Sequence, residues 1–388
     1  MHDGNSSRWR GALGVLCLSV ALGSSCATTA PQRTGTLVFE PQQITGDLEL
    51  SELNDEELFA AGTAAHGSEQ WELAARAFDR IIDFHPDSPL VAKARFNAGL
   101  SYERLEDWER AHERYSSLAD PERGEGDALE ASFRAATMRY MLGDLEQAAA
   151  LLDVLANRQD LPGERRLQAL TERGVCEKDA GRLETAEATL REVLLQHRQL
   201  EEAGASPDVE RAAQAQFHLA EIYRLHYEGV ELDASQGVKP LARELDHKAE
   251  LLLSAQGHYL RTIRLGHGEW AIAASAQVGA LYENFWDALM STPPPPELEG
   301  EAVEVYNEEL RKKIRVLLTK AIGIYERTLE TAVRIGAQNP YIERTRASLE
   351  RMKALLVAET RSEQESTGGP ASDPDAARTP AGQAPSSG

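Results

Sequence analysis

Ten histidines and three cysteines are the residues of this chain best suited to metal or nucleophilic chemistry. His218, Glu221 and His226 fall in one helical stretch, and His258 and His267 follow them. The spacing is not that of a zinc site, because the chain has neither a His pair four apart with an intervening Glu nor a Cys-x-x-Cys. It also has no Gly-x-Ser-x-Gly elbow and no glycine-rich phosphate loop. We therefore expect solvated or capping histidines, no catalytic residue, no metal and no cofactor.

An export signal is predicted at residues 1–26. Arg8 and Arg10 precede an apolar run at 11–22, which is too short to span a membrane as a stable helix. Small residues then lead into Cys26. The segment resembles a bacterial lipoprotein signal, which implies that Cys26 becomes the lipidated N-terminal residue and attaches the chain to a membrane.

Two alternatives to lipidation stay open. Lipoprotein signals usually carry Leu, Val or Ile three residues before the cysteine, where this chain has Gly23. An ordinary secretory peptide cleaved after Ala27 or Ala30 would release a soluble periplasmic protein, and an uncleaved signal would remain as an anchor. With lipidation, the non-acidic Ala27 implies an outer-membrane lipoprotein that faces the periplasm.

The third cysteine offers little chemistry. Cys17 lies in the signal, so Cys176 is the one thiol left in a mature lipidated chain. A single thiol cannot form an internal disulfide. We expect a buried, inert side chain.

A repeated spacing predicts the elements that position these residues. A small residue is followed twelve positions later by alanine and four residues further on by an aromatic residue or leucine, as in Gly62–Ala74–Phe78, Gly99–Ala111–Tyr115, Ala136–Ala148–Leu152 and Gly174–Ala186–Leu190. The small residues recur at intervals of 37, 37 and 38, a period typical of stacked repeats. The pattern resembles the tetratricopeptide repeat, which implies paired antiparallel helices in close contact at the small positions.

Two further copies are stretched. Their first helices carry Ala220 and Tyr223 or Gly279 and Tyr282, and their second helices carry Ala255 and Tyr259 or Ala321 and Tyr325. Insertions of about 23 and 30 residues therefore interrupt these units. The segment 301–336 is predicted to be one long helix, and the proline run at 293–296 is predicted to be a stiff spacer before it.

Composition agrees with a helical array. Ala, Leu, Glu and Arg dominate with a 3.6-residue rhythm, so the predicted fold is all-α, a right-handed tetratricopeptide superhelix of about six repeats, the last two with long insertions. The predicted segments are a signal at 1–26, a flexible tether at 27–50, four regular repeats at 51–200, two extended hairpins with a capping helix at 201–358, and a disordered tail at 359–388.

The net charge of -22 restricts the partners. Nucleic acid and anionic lipid headgroups are excluded as main ligands because both repel a polyanion. The acidity either keeps an elongated protein soluble or attracts a basic partner. We expect protein partners.

The resemblance also places a candidate binding groove. In the family, positions 2, 5, 9 and 12 of each first helix line the inner surface, and position 5 here is phenylalanine in four of six copies: Phe59, Phe96, Phe133 and Phe217. Position 12 includes Tyr140, Lys178 and Arg224. One hypothesis is an aromatic ladder that holds a peptide; the alternative is that the rings fill gaps between helices. The lysines of carboxylate-clamp relatives are not reproduced, so a chaperone C-terminus is not expected.

The distal half suggests a cellular setting. In overall pattern and in its proline motif, the region 240–350 resembles myxobacterial repeat proteins linked to gliding motility. This implies a non-catalytic scaffold in an envelope complex such as that machinery. Alternatives are an accessory lipoprotein of outer-membrane protein or peptidoglycan assembly, and an enzyme with its site in the inserted hairpins. The long distal helices are expected to protrude or to form a homodimer.

Overall fold

The computed structural model describes residues 50–119 and 127–367. Within these ranges the chain forms thirteen α-helices, one short 3-10 turn and no β-strand. The predicted all-α class is therefore confirmed. The predicted signal at 1–26, with Cys26, lies outside the described residues, as do the rest of the tether to residue 49 and the tail from residue 368.

The helices follow one another with short connections. They are α1 (Asp55–Gly67), α2 (Trp71–Phe84), α3 (Val91–Arg104), α4 (Trp108–Ser116), α5 (Asp127–Met141), α6 (Leu145–Ala156), α7 (Gly163–Asp179), α8 (Leu183–Glu202), α9 (Val209–Glu228), α10 (Val238–Leu265), α11 (Gly268–Ser291), α12 (Glu301–Ile335) and α13 (Pro340–Thr367). α13 thus continues beyond residue 359, where the tail was predicted to begin. The chain divides into two compact units between Tyr223 and Arg224, with the short segment Arg264–His267 assigned to the first.

Close small-to-large contacts join the helix pairs of the first unit. A Cβ added at Gly62 would lie 2.7 Å from Cε1 of Phe78, and one at Gly99 would lie 2.6 Å from Cε1 of Tyr115. These distances are far below a carbon–carbon contact, so glycine lets each first helix approach its second helix. Gly174 meets Leu190 in the same way in the fourth pair. The predicted tetratricopeptide pairing of α1 with α2, α3 with α4 and α7 with α8 is confirmed by these contacts.

The turn inside each regular pair places its middle residue in the left-handed region. Gly143 and Gly181 have φ of 83° and 76° in the turns of the third and fourth pairs. The equivalent residues in the first two pairs are Glu69 and Glu106, with φ of 61° and 56°. A non-glycine residue in this conformation carries a Cβ–carbonyl clash, so the first two turns are strained relative to the next two.

Two clusters of mainly alanine, aromatic and leucine side chains pack in the core of the first unit. One includes Phe78, Tyr102 and Tyr115, and the other includes Leu152 and Leu190. Leu50, the last residue of the predicted tether, is 2% exposed and packs in the first cluster.

The second unit contains the stretched sixth pair. α11 has 24 residues and α12 has 35, and only residues 292–300 connect them. The additional residues therefore lengthen the helices and do not form a separate inserted loop, because the apolar rhythm continues through them. The predicted single helix at 301–336 is confirmed to within one residue by α12.

Polar side chains join α11, α12 and α13. The hydroxyl of Tyr325 donates to Oε2 of Glu283 at 2.7 Å, and Nη1 of Arg351 donates to Oε1 of Glu283 at 2.6 Å. Nη2 of Arg351 also contacts Asp287 at 2.5 Å. Each oxygen of the buried Glu283 carboxylate thus has a donor, as burial of a charge requires.

None of the described helices is both long enough and apolar enough to cross a membrane.

Candidate binding pocket

A pocket with a volume of about 130 Å³ lies on the first helices of the second to fifth repeats. Its lining includes Glu103 of α3, residues of α5 and α7, and Gln214 of α9, while α6 contributes Leu152. All belong to the first unit. The repeat explains this convergence, because the first helices of successive repeats stand side by side and present equivalent positions to one surface.

The pocket has an apolar wall. Phe133, Leu152, Val175 and Cys176 line it, and each is at most 8% exposed. Burial raises the pKa of the Cys176 thiol to about 12, so this side chain acts as a small apolar group and not as a nucleophile. The guanidinium of Arg165 lies 4.7 Å from the centre of the Phe133 ring. The predicted burial of Cys176 is confirmed.

Arginine and glutamate side chains form a series of ion pairs at the pocket. Nη1 of Arg134 donates to both oxygens of Glu103 at 2.9 and 3.1 Å, and its Nε lies 3.3 Å from Glu130. Nη2 of Arg165 donates to the other oxygen of Glu130 at 2.6 Å. Two of the three lining carboxylates thus already have a guanidinium partner.

Glu172 is the third lining carboxylate, and it has a different environment. Its Oε1 accepts a hydrogen bond from Nε2 of Gln168 at 2.9 Å. Burial raises the pKa of Glu172, and the hydrogen bond from Gln168 opposes this shift. Among the side chains that the structure describes, no Lys, Arg or His forms an ion pair with Glu172.

The helix pairs, their contacts and their turns are those of tetratricopeptide-type repeats. No protein-family model matches the sequence, and a comparison with curated proteins finds no match.

Several solved structures resemble the chain. A tetratricopeptide repeat protein from Parabacteroides merdae is 16% identical and covers 79% of this chain and 98% of its own, with a TM-score of 0.36. The apo form of RapI is 10% identical, covers 80% and 100%, and has a TM-score of 0.39. A repeat protein from Bacteroides fragilis is 12% identical, covers 59% and 99%, and has a TM-score of 0.29.

The predicted groove residues have different surroundings. Phe133 and Tyr140 line the pocket. Phe59 and Phe96 are half-buried and pack edge-to-face against the aromatic residue of their own second helix, at 5.5 and 5.6 Å between ring centres. Phe217 is 1% exposed.

The predicted cationic groove residues are both ion-paired. Lys178 is 5% exposed and its ammonium contacts Asp179, which also accepts a hydrogen bond from the hydroxyl of Tyr140 at 2.7 Å. Arg224 belongs to the second unit, where it pairs with Glu228 at 2.6 Å. Neither residue lines the pocket.

The prediction of solvated or capping histidines is wrong for His218 and His258, which are buried. His218 on α9 and His258 on α10 are 7% and 8% exposed. Burial, followed by the charge of Lys178, lowers the pKa of His218 to about 4. In the part of the chain that the structure describes, no group of three or more His, Cys, Asp or Glu side chains could hold a metal ion.

Most polar residues of the pocket lining were not among the predicted groove residues. Glu130, Gln168 and Gln214 occupy position 2 of their first helices, so the family pattern could have indicated them. Arg134 and Glu172 occupy position 6, outside the positions that the resemblance assigns to the groove. Only the packing of neighbouring repeats brings them to the pocket.

Proposed function

We propose that this protein is a non-catalytic scaffold that binds a protein partner through the pocket on its first helices. The observation that carries the proposal is the pocket itself, in which apolar side chains such as Phe133 lie beside the polar groups of Glu172 and Gln214. Specific binding sites combine an apolar wall with a few placed polar groups in this way. Protein-interaction surfaces use such aromatic residues as anchors.

Site-specific photocrosslinking tests this proposal in the cells that make the protein. A photoreactive residue would replace Thr137, which lines the pocket on α5. The matched control would replace Val154, which is 57% exposed on α6 and outside the pocket lining. We expect a discrete protein adduct from position 137 and none of the same mass from position 154. Equal adducts from both positions would contradict a role for the pocket.

A pocket-filling variant gives a second test of the same proposal. Thr137→Trp places a large ring at the pocket, while Val154→Trp adds the same ring to an exposed position. We expect Thr137→Trp to lose the partner found by crosslinking and Val154→Trp to keep it. Circular dichroism would establish that both variants remain helical.

We propose that the scaffold is held at the outer membrane, facing the periplasm, by a lipid on Cys26. The sequence of residues 8–26 supports the proposal, with two arginines, an apolar run and small residues before the cysteine. Cys26→Ser should move the protein from the membrane fraction to the soluble periplasmic fraction. Unchanged fractionation would exclude lipidation, and release of the wild-type protein would support the secreted alternative.

We further propose that the complex belongs to the gliding motility machinery, on the strength of the sequence resemblance of residues 240–350. Outer-membrane protein assembly and peptidoglycan assembly are the alternative settings. The identity of the crosslinked partner decides among them, because each setting has a different set of envelope proteins.

Finally, we propose that α12 offers a homodimer surface in the second unit. Val305 and Val316 are each 54% exposed, and Val333 is 82% exposed. Exposed apolar side chains along a long helix favour association with another helix. Sedimentation velocity of the wild-type protein and of Val316→Asp should show a dimer and a monomer, respectively; two monomers would contradict the proposal.

A further inference from the structure

We infer that the pocket of the first unit binds the cationic side chain of an arginine or lysine presented by the partner protein. This inference rests on the proposed function, because it names the chemistry of the group that the pocket receives. It starts from the charges at the pocket lining, which are three carboxylates and one guanidinium.

Two of the three carboxylates at the pocket already have a guanidinium partner. Arg134 pairs with Glu103 and Glu130, and Arg165 also pairs with Glu130. The charges of Arg211 and Arg165 lower the pKa of Glu172 from a distance. Their hydrogen bonds go to other side chains, since Nη1 of Arg165 donates to Gln168 at 2.7 Å and Nη1 of Arg211 donates to Gln214 at 3.0 Å. Within the described residues, Glu172 thus has the amide of Gln168 as its hydrogen-bond donor and no cation in contact.

The surroundings of the Glu172 carboxylate disfavour an unpaired charge. Burial disfavours the charged form of Glu172 and raises its pKa. Glu172 is half-buried, and a carboxylate that is partly shielded from water is stable as an anion when a cation or several donors contact it. A ligand with a positive group and N–H donors would supply the direct cationic contact that Glu172 lacks. Charge-assisted hydrogen bonds are stronger than those between neutral groups.

The pocket also offers apolar surface to the part of the ligand next to its charged group. Phe133, Leu152 and Val175 form an apolar wall beside Glu172. Arginine and lysine have an aliphatic stem that packs on apolar surface while the charged head contacts a polar group. A hydrated metal ion does not match this wall, and the described residues contain no cluster of metal-binding side chains.

The charge of the whole chain favours the same occupant. A formal net charge of -22 attracts basic proteins over distances beyond direct contact and speeds their association. A basic side chain on a partner therefore agrees with both the local and the overall electrostatics. A free polyamine would offer the same ammonium chemistry, and the experiment includes it as a separate arm.

The experiment measures binding of five fluorescein-labelled peptides to the full mature protein by fluorescence polarisation. The peptides share the sequence Gly-Ala-Leu-X-Ala-Leu-Gly, where X is arginine, lysine, citrulline, glutamine or glutamate. Citrulline is the decisive comparison, because it has nearly the shape of arginine without the charge. We expect the arginine and lysine peptides to bind about tenfold more tightly than the citrulline peptide, as for a hydrogen-bonded charge pair.

Two variants locate the effect. Glu172→Gln keeps the shape of the side chain and removes its charge, so the preference for arginine over citrulline should disappear. Glu192→Gln removes a charge from α8, where Glu192 is exposed and is not part of the pocket lining, so the preference should persist. A preference that survives in Glu172→Gln overturns the inference.

The remaining outcomes separate the inference from the proposed function. Equal binding of all five peptides overturns the cationic anchor and leaves a protein-binding pocket standing. Binding of spermidine with displacement of the arginine peptide at equal concentration overturns the choice of a protein side chain. Failure of every peptide to bind overturns the inference, while the crosslinks from position 137 decide the proposed function independently.

Discussion

Gly279 lies against the ring of Tyr325, so that a Cβ at position 279 would come within 2.3 Å of ring atom Cε1. The two residues are 46 apart in the chain, whereas Gly99 and Tyr115, which make the equivalent contact in the second pair, are 16 apart. The stretched sixth unit therefore keeps the contact that defines the regular pairs. Its additional residues extend α11 and α12 beyond this contact.

Gly279→Ala should destabilise the second unit. The added methyl group would force apart the α11 and α12 backbones or displace the buried Tyr325 ring, and overpacking of this kind costs about 1–3 kcal/mol. Urea denaturation followed by tryptophan fluorescence would measure the loss, because Trp286 lies in the same unit.

Gly323→Ala provides the matched control. Gly323 also lies within a helix of the second unit, but the nearest atom to a Cβ there is Nη1 of Arg327 at 3.5 Å, which is an ordinary contact with a flexible side chain. Alanine is a better helix former than glycine, so this variant should be about 0.5–1 kcal/mol more stable than the wild type. Similar losses in both variants would contradict the explanation by packing.

Glu106→Gly should stabilise the first unit, although it removes a side chain. Glu106 is exposed and has φ of 56°, a conformation that costs a non-glycine residue about 1–2 kcal/mol. Part of this gain is offset because glycine is more flexible in the unfolded chain, so we expect a net increase of about 0.5–1 kcal/mol in the free energy of unfolding. Thermal unfolding would measure it.

The third pair provides the converse variant. Gly143 has φ of 83° in the equivalent turn, and a Cβ there would meet no atom within 4 Å. Gly143→Glu therefore tests the backbone conformation without adding a steric clash. It should lower the melting temperature, and an unchanged value would show that the turn tolerates glutamate and that Glu106 is unstrained.

The sequence could predict the repeat contacts because they depend on residue size at fixed spacing. Gly62, Gly99, Gly174 and Gly279 all meet the large residue that the pattern assigned to them. The pocket chemistry could not be predicted in the same way. Glu172 has no cation in direct contact because Arg165 and Arg211 donate hydrogen bonds to other side chains, and this choice depends on side-chain geometry between repeats and not on spacing.

Cys176 should react with thiol reagents only when the first unit opens. The side chain is 3% exposed and burial raises its pKa to about 12, so at pH 8 almost none of it is thiolate. In a Cys26→Ser protein without its signal, Cys176 is the one remaining thiol. We expect 5,5′-dithiobis(2-nitrobenzoic acid) to react slowly in buffer and rapidly in 6 M guanidinium chloride. Fast reaction in buffer would contradict the burial of this thiol.

His218 should make the first unit less stable in acid. The ring is buried near Lys178, Asp179 and Glu221, and its pKa of about 4 lies below the ordinary histidine value of 6.5. Between these two values the unfolded chain binds a proton that the folded chain does not, so stability rises with pH through this window and falls as the solution is acidified. A shift of this size corresponds to a loss of about 3 kcal/mol from pH 7 to below pH 4.

His218→Gln isolates this contribution from that of the carboxylates. Glutamine does not titrate, so the variant should lack the part of the acid destabilisation that His218 causes, and the difference in stability between the two proteins should change by about 3 kcal/mol from pH 7 to pH 4. Urea denaturation at half-unit steps of pH measures that difference. Parallel curves for the two proteins would mean that His218 is protonated equally in the folded and unfolded chains, and thus that the ring is open to water in solution.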